Sequence, residues 1–66
     1  MRKDILVSMI KSHGFTLEGF ANKIGIDYST LYRKLNGTSD FTRSEILLIG
    51  KALSLSKRKV YEIFFA

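Results

Sequence analysis

Residues 16–37, TLEGFANKIGIDYSTLYRKLNG, decide the fold. Phe20, Ala21, Ile24, Gly25, Ile26, Leu31 and Leu35 fall at the spacing of two short amphipathic helices joined by a tight turn. Two helices that cross steeply need a small residue where they touch, and Ala21 supplies it. The turn needs a residue that tolerates positive φ, and Gly25 supplies that. Leu31 and Leu35 lie on one stripe of the second helix and anchor it to the first. With those residues inward, the opposite side of the second helix is left without an internal partner. The pattern is that of a helix-turn-helix.

Working outward, the chain reads as five helices and no strand. The first runs from about Lys3 to Ser12, with Ile5, Leu6, Met9 and Ile10 at helical spacing and Gly14 as its stop. Thr16 caps the second, Leu17 to Ile24, and Glu18 complements its positive pole. Asp27 or its neighbour opens the third, which reaches Asn36-Gly37. Thr42-Arg43-Ser44-Glu45 is a capping box before the apolar run from Ile46 to Leu53. Ser56 caps a last helix, Lys57 to Phe64. The expected core is Ile5, Met9, Ile10, Phe20, Ala21, Ile24, Ile26, Leu31, Leu35, Phe41, Ile46, Ile49, Leu53, Val60 and Ile63. Residues 1–66 form a single domain, and no internal repeat, linker or second domain is expected.

Sixty-six residues bury only about 60% of their unfolded surface, so the core is small. No cysteine is present, which excludes disulfides and thiolate metal sites, and proline is absent as well. Eleven Lys/Arg against six Asp/Glu give a net charge of +5, a field attractive to polyanions. The longest apolar runs, Ile5-Leu6-Val7 and Ile46-Leu47-Leu48-Ile49, fall far short of the roughly 20 residues of a membrane span. The apolar stretch after Met1-Arg2-Lys3 is broken by Ser8, ends at Lys11 and has no small-residue cleavage site, so a cytoplasmic protein is expected.

The spacing in residues 16–37 resembles that of the lambda-repressor-like family, the Cro/repressor (XRE) type of helix-turn-helix regulator of phages and bacteria. The resemblance covers nearly the whole chain: a helix before the motif, a polar loop (Asn36 to Asp40), a capped apolar helix and a closing helix. It implies a DNA-binding domain of five helices whose second motif helix enters the major groove. One departure is visible. The family often keeps an apolar residue three after the Leu31 position, where this chain has Lys34 and places Leu35 next. A four-residue step holds the same face, so a small rotation of the helix is expected rather than another fold.

At 100° per residue, burying Leu31 and Leu35 turns Ser29, Arg33 and Asn36 outward, with Thr30 and Tyr32 beside them. Arg33 can donate two parallel bonds to guanine O6 and N7, a contact worth about 1–3 kcal/mol of discrimination. The plain alternative is a phosphate or water contact, since most polar contacts to DNA reach the backbone. The resemblance puts Tyr28 and Ser29 at base-contacting positions. Tyr28 or Tyr32 can meet a thymine methyl or a phosphate, or Tyr32 can pack over the edge of the bundle. For phosphates, Thr16 offers its hydroxyl and the amino end of the second helix. Asn36 and Thr38 lie where family members grip the next phosphates. Arg43 stands in the first turn of the fourth helix, where the dipole disfavours a cation unless an anion docks on both. Lys23, Arg33 and Lys34 outweigh Glu18 and Asp27 on this side.

Lys57-Arg58-Lys59 crowd a helix amino end, either meeting flanking DNA or simply solvated. Leu48, Phe64 and Phe65, beside Tyr61, have no place in the expected core. Family dimers meet near the last two helices, so the resemblance implies a weak homodimer on a palindromic operator through Leu55, Lys57, Arg58, Phe64 and Phe65. The alternative is that Phe64 closes the core and Phe65 alone is exposed. His13, the sole histidine, complements the negative end of the first helix and has no partners for a metal. No paired carboxylates, nucleophile–histidine set or phosphate loop points to an enzyme, and no cofactor or small-molecule ligand is expected. The rival reading is a helix-turn-helix domain reused to bind another protein, which calls for an apolar face where Ser29, Arg33 and Asn36 stand.

Overall fold

Four of the five helices begin at a short polar side chain that accepts the N–H three residues on. Thr16 Oγ1 accepts from Gly19 N at 3.0 Å, Asp27 Oδ1 from Thr30 N at 2.9 Å, Thr42 Oγ1 from Glu45 N at 3.2 Å and Ser56 Oγ from Lys59 N at 3.1 Å. These caps set the starts of α2 (Leu17–Ile24), α3 (Tyr28–Leu35), α4 (Arg43–Ala52) and α5 (Lys57–Phe64). Each satisfies an N–H that the helix itself leaves unpaired. The remaining helix, α1 (Lys3–Ser12), has no side-chain cap. Its start is held from across the molecule, where Arg2 N donates to Ile63 O of α5 at 2.7 Å. The computed structural model describes all of residues 1–66, in which these five helices are the only regular elements and no strand forms. None of the helices is long and apolar enough to cross a membrane.

Helix ends are as regular as helix starts. At the end of α2, Ile26 N donates to Ala21 O at 3.0 Å and Gly25 N to Asn22 O at 3.2 Å, with Gly25 at φ 82°. This pair of bonds reverses the chain in three residues and needs the left-handed conformation that glycine adopts freely. The same pair closes α4, where Leu55 N donates to Gly50 O at 2.8 Å and Ser54 N to Lys51 O at 3.3 Å. There the left-handed position is occupied by Ser54, at φ 52°, the one non-glycine residue with positive φ.

Ten apolar side chains make the core: Leu6 and Ile10 of α1, Phe20, Ala21 and Ile24 of α2, Leu31 and Leu35 of α3, Ile49, Leu53 and Ile63. No polar side chain is buried. Helix α2 packs on α1, α3 and α4, and α1 also packs on α5. The sequence pattern misorients α1. Leu6, left out of the expected core, is fully buried, while Ile5 and Met9 are half-buried beside it. All four apolar residues lie within one wide stripe. Periodicity alone does not reveal that the i, i+4 pair Leu6/Ile10 is its centre. Ile26, Phe41, Ile46 and Val60, also expected inside, are half-buried too.

Replacing Ser54 with glycine relieves left-handed strain at an exposed position. The expected gain is about 0.5–1 kcal/mol after allowing for the added freedom of the unfolded chain. Thermal denaturation should show a midpoint roughly 2–8 °C higher for a domain of this size. An unchanged or lower midpoint contradicts this account of the α4–α5 turn.

Candidate nucleic-acid interface

Burying Leu31 and Leu35 leaves one side of α3 to solvent, and four of its side chains line a single shallow depression: Tyr28, Ser29, Tyr32 and Arg33. Tyr28 is 44% exposed and Tyr32 54%, so neither ring packs into the bundle. The rings stand 6.2 Å apart, tilted by 43°. Arg33 lies beside them, with Nη2 donating to Thr30 Oγ1 at 3.2 Å. That bond uses one of the five guanidinium N–H groups and leaves the rest of the fork for a ligand. Asp27, at the head of the helix, carries its charge into the cap. The Thr30 hydroxyl and then its backbone N–H hold the carboxyl below the usual carboxylate range, and Arg33 adds a lesser pull.

Of the expected phosphate-binding residues, Asn36 and Thr38 directly follow α3, Thr16 caps α2, and Arg43 lies in the first turn of α4. Thr16, Asn36, Thr38 and Arg43 are all exposed. Because Thr16 Oγ1 accepts the Gly19 N–H, the hydroxyl proton remains to be donated outward. Asn36 ends α3, and Thr38 follows it with its N–H on Arg33 O at 3.0 Å. Arg43 opens α4 and makes no ion pair. Asn36 Oδ1 also accepts from Lys3 Nζ at 2.7 Å, a contact between residues 33 positions apart that has no local signature in the sequence.

One expected contributor of charge is taken out. Lys34 Nζ lies 2.6 Å from Glu45 Oε1, with the two side chains only 11% and 14% exposed. It also donates to Asp40 O at 3.2 Å and stands 5.9 Å from the centre of the Phe41 ring. Its long stem fills the place between α3 and α4 where an apolar side chain would otherwise sit, and its charge is neutralised there. Lys34 therefore adds nothing to the outward field of α3. The same Glu45 oxygen accepts from Thr42 N at 2.8 Å, completing the capping box. Burial works against ionisation of Glu45, but the Lys34 and Thr42 hydrogen bonds outweigh it and hold the carboxyl below its usual range.

In α5, Lys59 Nζ pairs with Glu62 Oε1 at 2.8 Å, so Lys57 and Arg58 are the cations of that run without an ion pair. Phe64 is half-buried and meets the Phe41 ring edge-on, at 5.7 Å and 81°. Phe65 is 62% exposed, beside Tyr61. The groove next to Phe65 runs between α4 and α5 and is lined by Ile46, Leu47 and Val60, with Arg43 at its rim. Leu48 is exposed, as expected, and Leu47, which the sequence reading did not single out, is exposed as well and faces that groove. Leu55 is half-buried and, with Lys57, borders the continuation of the groove. His13 caps α1 as expected, its Nδ1 at 2.9 Å from Met9 O.

No protein-family model matches the chain, and no curated protein or solved structure matches it either.

Glu45 has a folded-state pKa below its ordinary 4.5, so its share of stability is present above that value. It is lost as pH falls through the lower, folded value. Glu45→Gln removes this share, so its thermal midpoint should fall less than that of the unaltered protein between pH 5 and pH 3. Parallel losses in the two proteins would mean that the Lys34–Glu45 junction contributes nothing to acid sensitivity.

Proposed function

We propose that this chain is a cytoplasmic, sequence-specific reader of double-stranded DNA. It inserts α3 in the major groove and represses a promoter by occupying it, in the manner of a small Cro-like phage or prophage regulator. The observation that carries the proposal is the character of the outward face of α3. Its exposed side chains are two tyrosines, a serine and an arginine with most of its donors free, on a domain of net charge +5. Arg33 is assigned to a guanine through O6 and N7, and Tyr28, Ser29 and Tyr32 to neighbouring base edges or thymine methyls. Thr16, Asn36, Thr38 and Arg43 are assigned to phosphates, which set the register of the helix in the groove. The resemblance of residues 16–37 to lambda-repressor-like regulators supports the same reading.

Two copies would meet through the α4–α5 end, using Leu55, Lys57, Arg58, Phe64 and Phe65. The exposed Phe65 and Leu47 supply apolar area there. Lys57 and Arg58 oppose close approach of two copies until DNA phosphates neutralise them, which makes a dimer weak alone and stronger on a palindromic operator. The alternative, a domain that binds another regulator, draws on the same apolar groove. It finds no apolar surface on α3 beyond the two tyrosine rings.

Selection of binding sites from a random duplex pool, repeated with Arg33→Ala, tests the assignment. An inverted repeat should be enriched, with half-sites about one helical turn apart. The Arg33→Ala protein should lose about 1–3 kcal/mol of preference at a single guanine. Absence of any enriched sequence would shift the assignment to protein binding through the α4–α5 groove.

A further inference from the structure

Lys3 is the residue of this surface that no sequence pattern singles out. Its Nζ donates to Asn36 Oδ1 at 2.7 Å, joining the first turn of α1 to the residue that caps the carboxyl end of α3. An ammonium group has donors and no acceptor, so the amide atom that faces it must be the carbonyl oxygen. That requirement leaves Nδ2 as the other arm of the Asn36 amide, and it has no protein partner. The result is a full positive charge and an amide with two unused N–H donors, joined through Asn36 Oδ1 at an exposed position.

The start of α1 is fixed independently of this contact. Arg2 N is tied to Ile63 O, and the Arg2 guanidinium grips both carboxylate oxygens of Asp4 at 3.1 and 2.8 Å. Asp4 is thereby neutralised by Arg2, whereas Lys3 makes no ion pair. Lys34, the other lysine near this end of α3, is neutralised by Glu45. Of the two, Lys3 alone retains an unpaired charge. A cation beside a helix carboxyl end also has a purely structural use, since it complements the negative pole of the dipole. That use still leaves the two amide donors without an acceptor.

We propose that Lys3 and Asn36 form a phosphate site, in which Lys3 Nζ and the Asn36 Nδ2 amide bind one backbone phosphate of the duplex beside the recognition helix. The proposal rests on the DNA-reading function above. Lys3 has two roles in it: it supplies the charge, and it orients the amide. The site is blind to sequence, and its contribution is read as salt dependence.

The test is the affinity for a random-sequence DNA duplex between 50 and 200 mM salt, followed by fluorescence anisotropy. The proteins compared are the unaltered chain, Lys3→Gln, Asn36→Ala, the double variant, and Lys11→Gln as a control for charge lost elsewhere on α1. Thermal denaturation of each checks folding. One phosphate contact corresponds to about 0.9 in the slope of log affinity against log salt. Lys3→Gln should therefore lower the slope by about that amount and shrink the affinity lost over this range roughly three- to fourfold. Asn36→Ala should weaken binding in the unaltered background and much less in the Lys3→Gln background. A slope for Lys3→Gln no different from that of Lys11→Gln, with a lowered melting midpoint, would make Lys3 a helix cap and overturn the phosphate site alone. Failure of the unaltered protein to bind the duplex would overturn the DNA-reading function, and the site with it.

Discussion

The burial of Leu31 and Leu35 is the constraint on which the rest of the molecule depends. Both are at or near full burial, in one cluster with Ala21 and Ile24 of the preceding helix. Each leucine buried in this way stabilises the fold by about 1.5–3 kcal/mol, a large share of what so small a domain commands. The same two side chains set the rotation of α3 about its axis. They determine that Tyr28, Ser29, Tyr32 and Arg33 face solvent, and that Lys34 faces α4. A change to the stripe would alter stability and the outward face together.

Charge is distributed around that frame unevenly. Three cations are held in ion pairs, Arg2 with Asp4, Lys34 with Glu45 and Lys59 with Glu62. The remaining basic residues make no ion pair, among them Arg33 on the outward side of α3 and Lys3 beside its carboxyl end. The Lys34–Glu45 pair matters most for architecture, because Glu45 also completes the capping box of α4. One carboxylate thus fixes both the start of α4 and its junction with α3. Residues 36–42, which carry Asn36 and Thr38, span the two helices that this junction joins.

Much of this was legible in the sequence where the determinant is local. Caps at Thr16, Asp27, Thr42 and Ser56 and the stop at Gly25 depend on residues within one helical turn, and those boundaries stand where the residue types indicate. The outward set on α3 follows from burying Leu31 and Leu35 at helical period, and the structure gathers three of those residues, Ser29, Tyr32 and Arg33, in one depression with Tyr28. Non-local determinants were not legible. The centre of the α1 stripe at Leu6, the diversion of Lys34 to Glu45, the facing of Leu47 and the Lys3–Asn36 contact all depend on how helices distant in sequence are placed. Ser54 is a different case. Its position is local, but serine carries no mark of a left-handed residue.

The claim that the outward side of α3 is a DNA-binding face is tested most directly by following backbone amide resonances during titration with duplex DNA. The account predicts shifts concentrated at Thr16, Tyr28 to Arg33, Asn36 to Thr38 and Arg43, with Leu48 and Glu62 unmoved. Shifts confined to the α4–α5 groove around Leu47, Val60 and Phe65, or no shifts at low salt, would contradict it.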